Sequence, residues 1–310
     1  MFPVHLSAPR TRRRAGLHGL RRGKGAVIGY REAASHRIVD LAECPVLDPA
    51  LSALIAPLRA LIAKFAPKNP VGIDLTLADQ GVDAALSHFP VEGLGPTEAM
   101  LDFAREYGLA RLGIDQGYGP ETIWEPEPVT ITLSGTPVSL PPGAFLQATR
   151  DAETRMVADA ADWLGDAAMV ADLFAGLGTF ALGLKRAGRK VLAVEGDQRS
   201  HLACKAAASL SGSTLFAMHR DLFRNPLQTS ELNRFDAVLL DPPRAGARAQ
   251  VAELAASTVP RIVYVSCNPS SWARDAAVLA AGGYALKKLR AVGQFRWSTH
   301  VELVSLFARG

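Results

Sequence analysis

Four short stretches of this chain carry side chains that could do chemistry together. Val263-Tyr264-Val265-Ser266-Cys267-Asn268-Pro269 sets a lone cysteine directly after a β-branched run, where a strand opens into a loop and a helix starts near Ser271. A helix N-terminus lowers a thiol pKa, and only the thiolate is a useful nucleophile. Near the chain's end, Trp297-Ser298-Thr299-His300-Val301-Glu302-Leu303-Val304 runs into a last strand. It presents His300 and Glu302 on one face, because strand side chains repeat every second residue. One thiolate and one acid support addition to an electron-poor ring followed by proton removal. Upstream lies Asp241-Pro242-Pro243-Arg244-Ala245-Gly246. Its two prolines force a rigid turn at a strand end, which suits an Asp241 that must meet a base or cofactor edge at fixed distance. Arg244 is either a phosphate clamp or a solvated turn residue.

Asp172-Leu173-Phe174-Ala175-Gly176-Leu177-Gly178-Thr179-Phe180 is the fourth stretch. Gly176 and Gly178 let the backbone approach a ligand where a side chain would clash, and the next helix starts near Thr179 with its N–H groups facing the site. The spacing departs from the Gly-x-Gly-x-x-Gly of dinucleotide sites. On the turn alone, a nucleotide-like ligand and a purely structural turn both stay open. Glu195, capping Ala193-Val194-Glu195-Gly196-Asp197, favours the ligand, since a carboxylate there can accept hydrogen bonds from both hydroxyls of a ribose. Asp221, after the next strand region, sits either against an adenine amino group or in a solvated loop.

The elements that must position these groups alternate strand, turn and helix from about residue 141 onward. Strands are predicted at Met169–Phe174, Val191–Val194, Ala237–Leu240 and Arg261–Ser266, each followed by a helical stretch. That rhythm implies a mostly parallel, doubly wound sheet with its site at the strand C-termini. Cys204, inside the helical stretch Arg199–Ala208, reads as a small core hydrophobe. Residues 1–140 mix short strands, such as Ala26–Tyr30 and Val71–Leu77, with helices near Pro49–Lys64 and Thr97–Tyr107. The proline-rich Pro137–Gly143 marks the expected boundary.

Bulk properties narrow the class. The chain has 310 residues, 48% hydrophobic and 21% charged, with a net charge of +4, enough for two globular domains. No stretch has the apolar length to span a bilayer, so a cytoplasmic protein without a membrane partner is expected. Arg10, Arg12, Arg13, Arg14, Arg21, Arg22, Lys24 and Arg31 precede the first acidic residue, Glu32. This basic arm either draws in a polyanion or is solvated and poorly ordered. The three cysteines, Cys44, Cys204 and Cys267, form no Cys-x-x-Cys pair, which excludes a zinc ribbon and a disulfide scaffold; no metal is expected.

Taken together, Phe145-Leu146-Gln147, the glycine turn, Glu195, Asp241-Pro242-Pro243-Arg244-Ala245-Gly246, Ser266-Cys267-Asn268-Pro269 and His300-Val301-Glu302 resemble the S-adenosylmethionine-dependent RNA uracil-C5 methyltransferases. That family modifies uridines in 23S ribosomal RNA and in tRNA. The resemblance implies an α/β chain. Its class I (Rossmann-like) methyltransferase domain would span 141–310, preceded by a smaller α+β RNA-substrate domain at 1–140. It also implies Cys267 as nucleophile and Glu302 as general base. Gln147, Phe174, Gly176, Thr179, Glu195, Asp221 and Asp241 would contact S-adenosylmethionine, with Arg244 and His300 on the substrate side. The expected RNA is 23S rRNA ahead of the tRNA T-loop, and the expected state is a monomer. Amino-group methylation is the competing enzyme class, but it needs neither Cys267 nor Glu302. A non-catalytic RNA-binding protein would not need the full motif set.

Two departures from the family pattern stand out. Cys44 matches the last cysteine of an iron–sulfur cluster present in many members, but no upstream cysteines exist, and one thiol cannot hold a cluster. The N-terminal RNA-binding β-barrel of many members is also missing, so this is expected to be a short form or a chain without its first segment. Gly293-Gln294-Phe295-Arg296-Trp297 replaces a more usual acidic start.

Overall fold

The computed structural model describes residues 2–32, 35–212 and 214–309, which divide into two compact units. One comprises Ala8–Ile131; the other joins Met1–Ser7 to Thr132–Gly310. The division therefore falls inside the strand Thr130–Leu133, ahead of the expected proline-rich boundary.

In the unit Ala8–Ile131, a seven-stranded sheet runs in the order Ile38–Asp40, Gly25–Arg31, Arg14–Arg22, Val71–Leu77, Val82–Ser87, Arg111–Asp115, Pro120–Trp124. Only Val82–Ser87 and Arg111–Asp115 pair in parallel, across the helix Leu94–Glu106. Val71, Ile73 and Leu75 alternate inward, as a half-buried strand requires. The helix expected over Pro49–Lys64 is two, Pro49–Ala53 and Ile55–Phe65. Asp48 caps the first, its Oδ1 accepting from Ala50 N at 2.9 Å. Pro57 has no N–H for the Ala53 carbonyl, so the chain restarts at Leu54 and leaves the proline in a first turn, where it is tolerated.

The basic run is not an arm. Arg14–Arg22 is an interior strand paired with Gly25–Arg31 and Val71–Leu77, and Arg13 is fully buried. Ala15, Leu17 and Gly19 supply a period-two buried face that the intervening charges obscure. Of the run's basic residues, Arg10, Arg21, Arg22, Lys24 and Arg31 stand exposed, three of them at the hairpin tip.

The other unit is built on an eight-stranded sheet ordered His5–Leu6, Tyr284–Gly293, Glu302–Arg309, Arg261–Ser266, Ala237–Leu240, Met169–Leu173, Lys190–Glu195, Leu215–His219. The last five are mutually parallel, while Glu302–Arg309 runs antiparallel to both neighbours. Met169–Leu173 is the switch point, its neighbours following on opposite sides, and a crevice opens there at the strand C-termini. The first residues, expected with the preceding domain, instead add a parallel edge strand, with His5 beside Val292 and Leu6 beside Gly293. A two-residue strand has too short a pattern to be read from sequence. No helix among the described residues is long and apolar enough to cross a membrane.

Candidate active site

The glycine turn follows Met169–Leu173 at the switch point. Gly176, at φ 55°, has nothing within 4 Å of where a Cβ would stand, so this stretch of backbone lies open to a ligand. Gly178, at φ 89°, is different: a Cβ there would sit 2.8 Å from Cys204 Sγ. Cys204 is thus the core residue expected, and it floors the turn. Burial pushes its thiol up to about 12, with Asp172 and Glu195 adding to the shift. Thr179 opens the helix Thr179–Gly183, and Ala181 N donates to Asp172 Oδ2 at 2.8 Å. Burial raises the Asp172 carboxyl to about 8.

Glu195 ends its strand and folds back over the turn. Its Oε2 accepts from Gly176 N and its Oε1 from Asp197 N, both at 2.7 Å. Each oxygen keeps lone pairs for further donors. Phe174 holds a left-handed backbone at φ 62° and packs its ring 5.3 Å from that of Phe223. Asp221 Oδ1 caps its own turn, accepting from Phe223 N at 2.9 Å. Its backbone lies beside Gly196, where a Cβ would meet Asp221 Cα at 3.3 Å.

Cys267 and Glu302 come together through sheet register. Ser266 pairs with Leu303 in the antiparallel ladder, and continuing that register sets Cys267 opposite Glu302, the first residue of its strand. Asp241 follows Leu240 on the parallel neighbour, its N donating to Leu173 O at 3.2 Å. The turn after it is fastened at two points. Asn268, which caps the helix Pro269–Ala281, donates from Nδ2 to Arg244 O at 3.0 Å. Gly246, at φ 78°, leaves room where a Cβ would lie 2.5 Å from Asp275 Oδ2, the atom that accepts from Ala247 N and Tyr264 Oη. His300 stands in the loop before the strand, exposed, and its Nδ1 lies 3.2 Å from Arg244 Nη2. The expectation that His300 shares a strand face with Glu302 is therefore corrected: the strand begins two residues later.

Electrostatics at this corner differ from the sequence reading. Burial, then the Glu302 and Asp241 charges, push the Cys267 thiol up; Arg244 opposes them. The helix N-terminus does not dominate, because the sulfur is buried and two carboxyls add to that burial. Burial raises Glu302 to about 7 and, helped by Glu302 and Asp172, drives Asp241 well above the ordinary carboxylate range.

One buried residue escaped sequence reasoning. Gln294 Nε2 donates to Gln147 Oε1 at 2.8 Å, and Gln147 Nε2 donates to Asp241 Oδ2 at 3.1 Å. Gln294 Oε1 accepts from Thr149 N at 3.2 Å, and Thr149 Oγ1 lies 2.8 Å from Ser7 Oγ. A glutamine inside a departure from the family pattern is thus the hinge of a buried amide chain that ends on Asp241. Among the described residues no group of three His, Cys, Asp or Glu side chains is placed to hold a metal ion.

With this geometry in hand, similarity to known proteins is direct. Residues 139–309 match the tRNA (uracil-5-)-methyltransferase family. An uncharacterized RNA methyltransferase of Zymomonas mobilis is 52% identical over 308 residues, covering 99% of this chain and 77% of that protein. A 23S rRNA (uracil(1939)-C(5))-methyltransferase of Alteromonas naphthalenivorans is 36% identical over 315 residues, covering 99% of this chain and 66% of its own. Among solved structures, the Pyrococcus abyssi tRNA (uracil-54, C5)-methyltransferase in complex with S-adenosyl-L-homocysteine shares the fold. Its TM-score is 0.77 at 22% identity, covering 99% of this chain and 79% of that one. A match over more than half the chain and a relative 52% identical, covered to 77% of its length, make the assignment: the chain belongs to the tRNA (uracil-5-)-methyltransferase family.

Proposed function

We propose that this protein transfers a methyl group from S-adenosylmethionine to C5 of a uridine in RNA, in 23S rRNA ahead of tRNA, through a covalent adduct of Cys267 with C6 of the base. The observation that carries this reading is the placement of Cys267 opposite Glu302, with Asp241 on the adjoining strand, at the same sheet edge as the glycine turn.

The residues present fit the cofactor. Gly176 leaves open space, Glu195 offers remaining lone pairs, and Phe174, Thr179 and Asp221 surround the same strand ends. Gln147 and Asp241 form a hydrogen-bonded polar pair. These seven side chains and backbones would hold S-adenosylmethionine, which supplies an electrophilic methyl group on a sulfonium.

Uracil C5 is too weak a nucleophile by itself, which is why a covalent route is needed. The Cys267 thiolate adds to C6, and the electron pair displaced onto C5 takes the methyl. Glu302 then removes the C5 proton, and elimination re-forms the C5–C6 double bond and releases the thiolate. Arg244 opposes the carboxyl charges that raise the thiol and so favours the thiolate, while Glu302 must be ionised when the C5 proton leaves. A carboxylate titrating near neutrality is a suitable base for the last step. Addition to the ring face requires an unstacked uridine, flipped or looped. The unit Ala8–Ile131, with Arg21, Arg22 and Lys24 exposed at its hairpin tip, is the RNA-substrate domain in this reading. Such cations would hold phosphates without reading bases.

RNA transcripts carrying 5-fluorouridine test the route, because fluorine at C5 cannot leave as a proton. A protein–RNA band that survives denaturing electrophoresis, needs S-adenosylmethionine and vanishes in Cys267→Ala is expected. An active enzyme that gives no such band refutes the covalent adduct. The second reading is a tRNA T-loop uridine, favoured by the described activity of the archaeal protein of similar fold. Methylation of a T-arm hairpin with none on 23S transcripts would establish it.

A further inference from the structure

Trp297 stands out on the surface beside this site. Its side chain is 73% exposed, yet its backbone is left-handed at φ 61°, a conformation that costs energy for a bulky residue. Burial of the indole does not offset that cost. Neighbours hold the turn instead: Arg296 Nε donates to Ser7 O at 2.6 Å, and the Phe295 and His300 rings meet edge-on at 5.9 Å. The indole walls a cavity of about 330 Å³ with Val4, Leu6 and Val301, while Arg296 and His300 supply its polar rim. Val4 and Leu6 are themselves 65% and 48% exposed. No acidic residue lines this cavity. The volume lies at the low end of about 300–1,000 Å³ typical of small-ligand sites, right for one flat group and too small for a docked helix.

We propose that Trp297 is a stacking platform for the unpaired nucleotide flanking the target uridine, with the base on the indole and its phosphate at the Arg296–His300 rim. This rests on the functional reading above and adds to it the recognition of a second nucleotide. The chemistry of the cavity selects such an occupant. An aromatic face accepts any base, apolar walls exclude water from it, and a cationic rim without carboxylates suits an anionic backbone. The placement fits as well. His300 contacts Arg244, whose charge acts on both Cys267 and Glu302. The platform is therefore one residue pair away from the reacting corner.

The test uses a heptaribonucleotide with one central uridine and two versions lacking the base on either side. In the wild-type protein, binding quenches tryptophan fluorescence, since Trp297 is the exposed one while Trp163 is buried and Trp124 and Trp272 are half-buried. Trp297→Ala raises KM for the heptamer roughly tenfold, while kcat and S-adenosylmethionine affinity change by less than about twofold. Trp297→Phe returns KM to near the wild-type value but loses the quench. One abasic heptamer costs the wild type the same factor and costs Trp297→Ala nothing further. A wild-type KM in Trp297→Ala, an alanine penalty undiminished on both abasic heptamers, or no binding of the heptamer would overturn the platform. Binding with quenching but no methylation leaves the platform standing and refutes the uridine methyltransferase reading instead. Methylation without quenching does the reverse.

Discussion

The cradle over the glycine turn and the corner at Cys267 each present a strand-end carboxyl, Glu195 and Glu302, held in opposite ways. Glu195 is fixed by two backbone N–H donors at 2.7 Å, and the turn below it is braced by Gly178 against Cys204. Glu302 and Asp241 instead crowd each other and a thiol, and burial lifts both. A binding surface gains from groups that are already satisfied and cannot move. The chemistry proposed for the corner needs a carboxyl whose protonation changes near working pH, and burial sets Glu302 there, at about 7. The molecule keeps the two regimes one strand apart on a single sheet.

The largest effect that could break this division is at the sulfur. Cys267→Ala should lower methyl transfer by at least about three orders of magnitude while calorimetry finds S-adenosylmethionine affinity within about twofold of wild type. A parallel loss of cofactor binding would mean the cradle and the corner are not separable. Next, Glu302→Gln should cost on the order of 10²–10⁴ in turnover and leave a methylated protein–RNA adduct that persists in denaturing gels. Lost turnover without the adduct would place Glu302 before, not after, the addition step.

A pH profile sharpens the contrast further. With Glu302 at about 7, its basic form falls about tenfold for each pH unit below that value, so the rate at which the methylated adduct resolves, followed in denaturing gels, should do likewise. The same shift has a sign for stability. The folded carboxyl titrates above its ordinary 4.5, so the stabilising contribution of its protonated form is complete below that value and is lost as pH rises through about 7. Glu302→Gln should therefore raise thermal stability at pH 8, by up to about 3 kcal/mol, and barely change it at pH 4. Smallest of all, Gln294→Met keeps the volume but cuts the amide chain to Gln147 and Asp241. S-adenosylmethionine affinity should weaken roughly tenfold with the Cys267 adduct still formed. No change in affinity would make that chain purely structural.

Much of this was legible before the coordinates, where side chains announce their own environment. Val71–Leu77, Ala237–Leu240 and Arg261–Ser266 emerge with the expected bounds, because their apolar runs are bounded by charges or turns. Cys267 and Glu302 could be named from motif order, but their meeting depends on an antiparallel register that no local pattern encodes. The direction of the thiol shift is hidden for the same reason: the helix terminus is adjacent in sequence, whereas the burial of the sulfur and the two carboxyls beside it arise through tertiary structure. The basic strand Arg14–Arg22 hid behind its own charges, and Gln294 behind its ordinariness.

The position of Glu302–Arg309 in the sheet has a consequence for biosynthesis. This strand follows both of its neighbours in sequence yet lies between them, Tyr284–Gly293 on one side and Arg261–Ser266 on the other. While a ribosome is still threading it out, those two strands present unpaired edges to whatever is nearby. Cys267 meanwhile faces no partner acid. The Cys267–Glu302 pair thus cannot assemble until this strand has been made and inserted, and until then both open edges stay prone to aggregate.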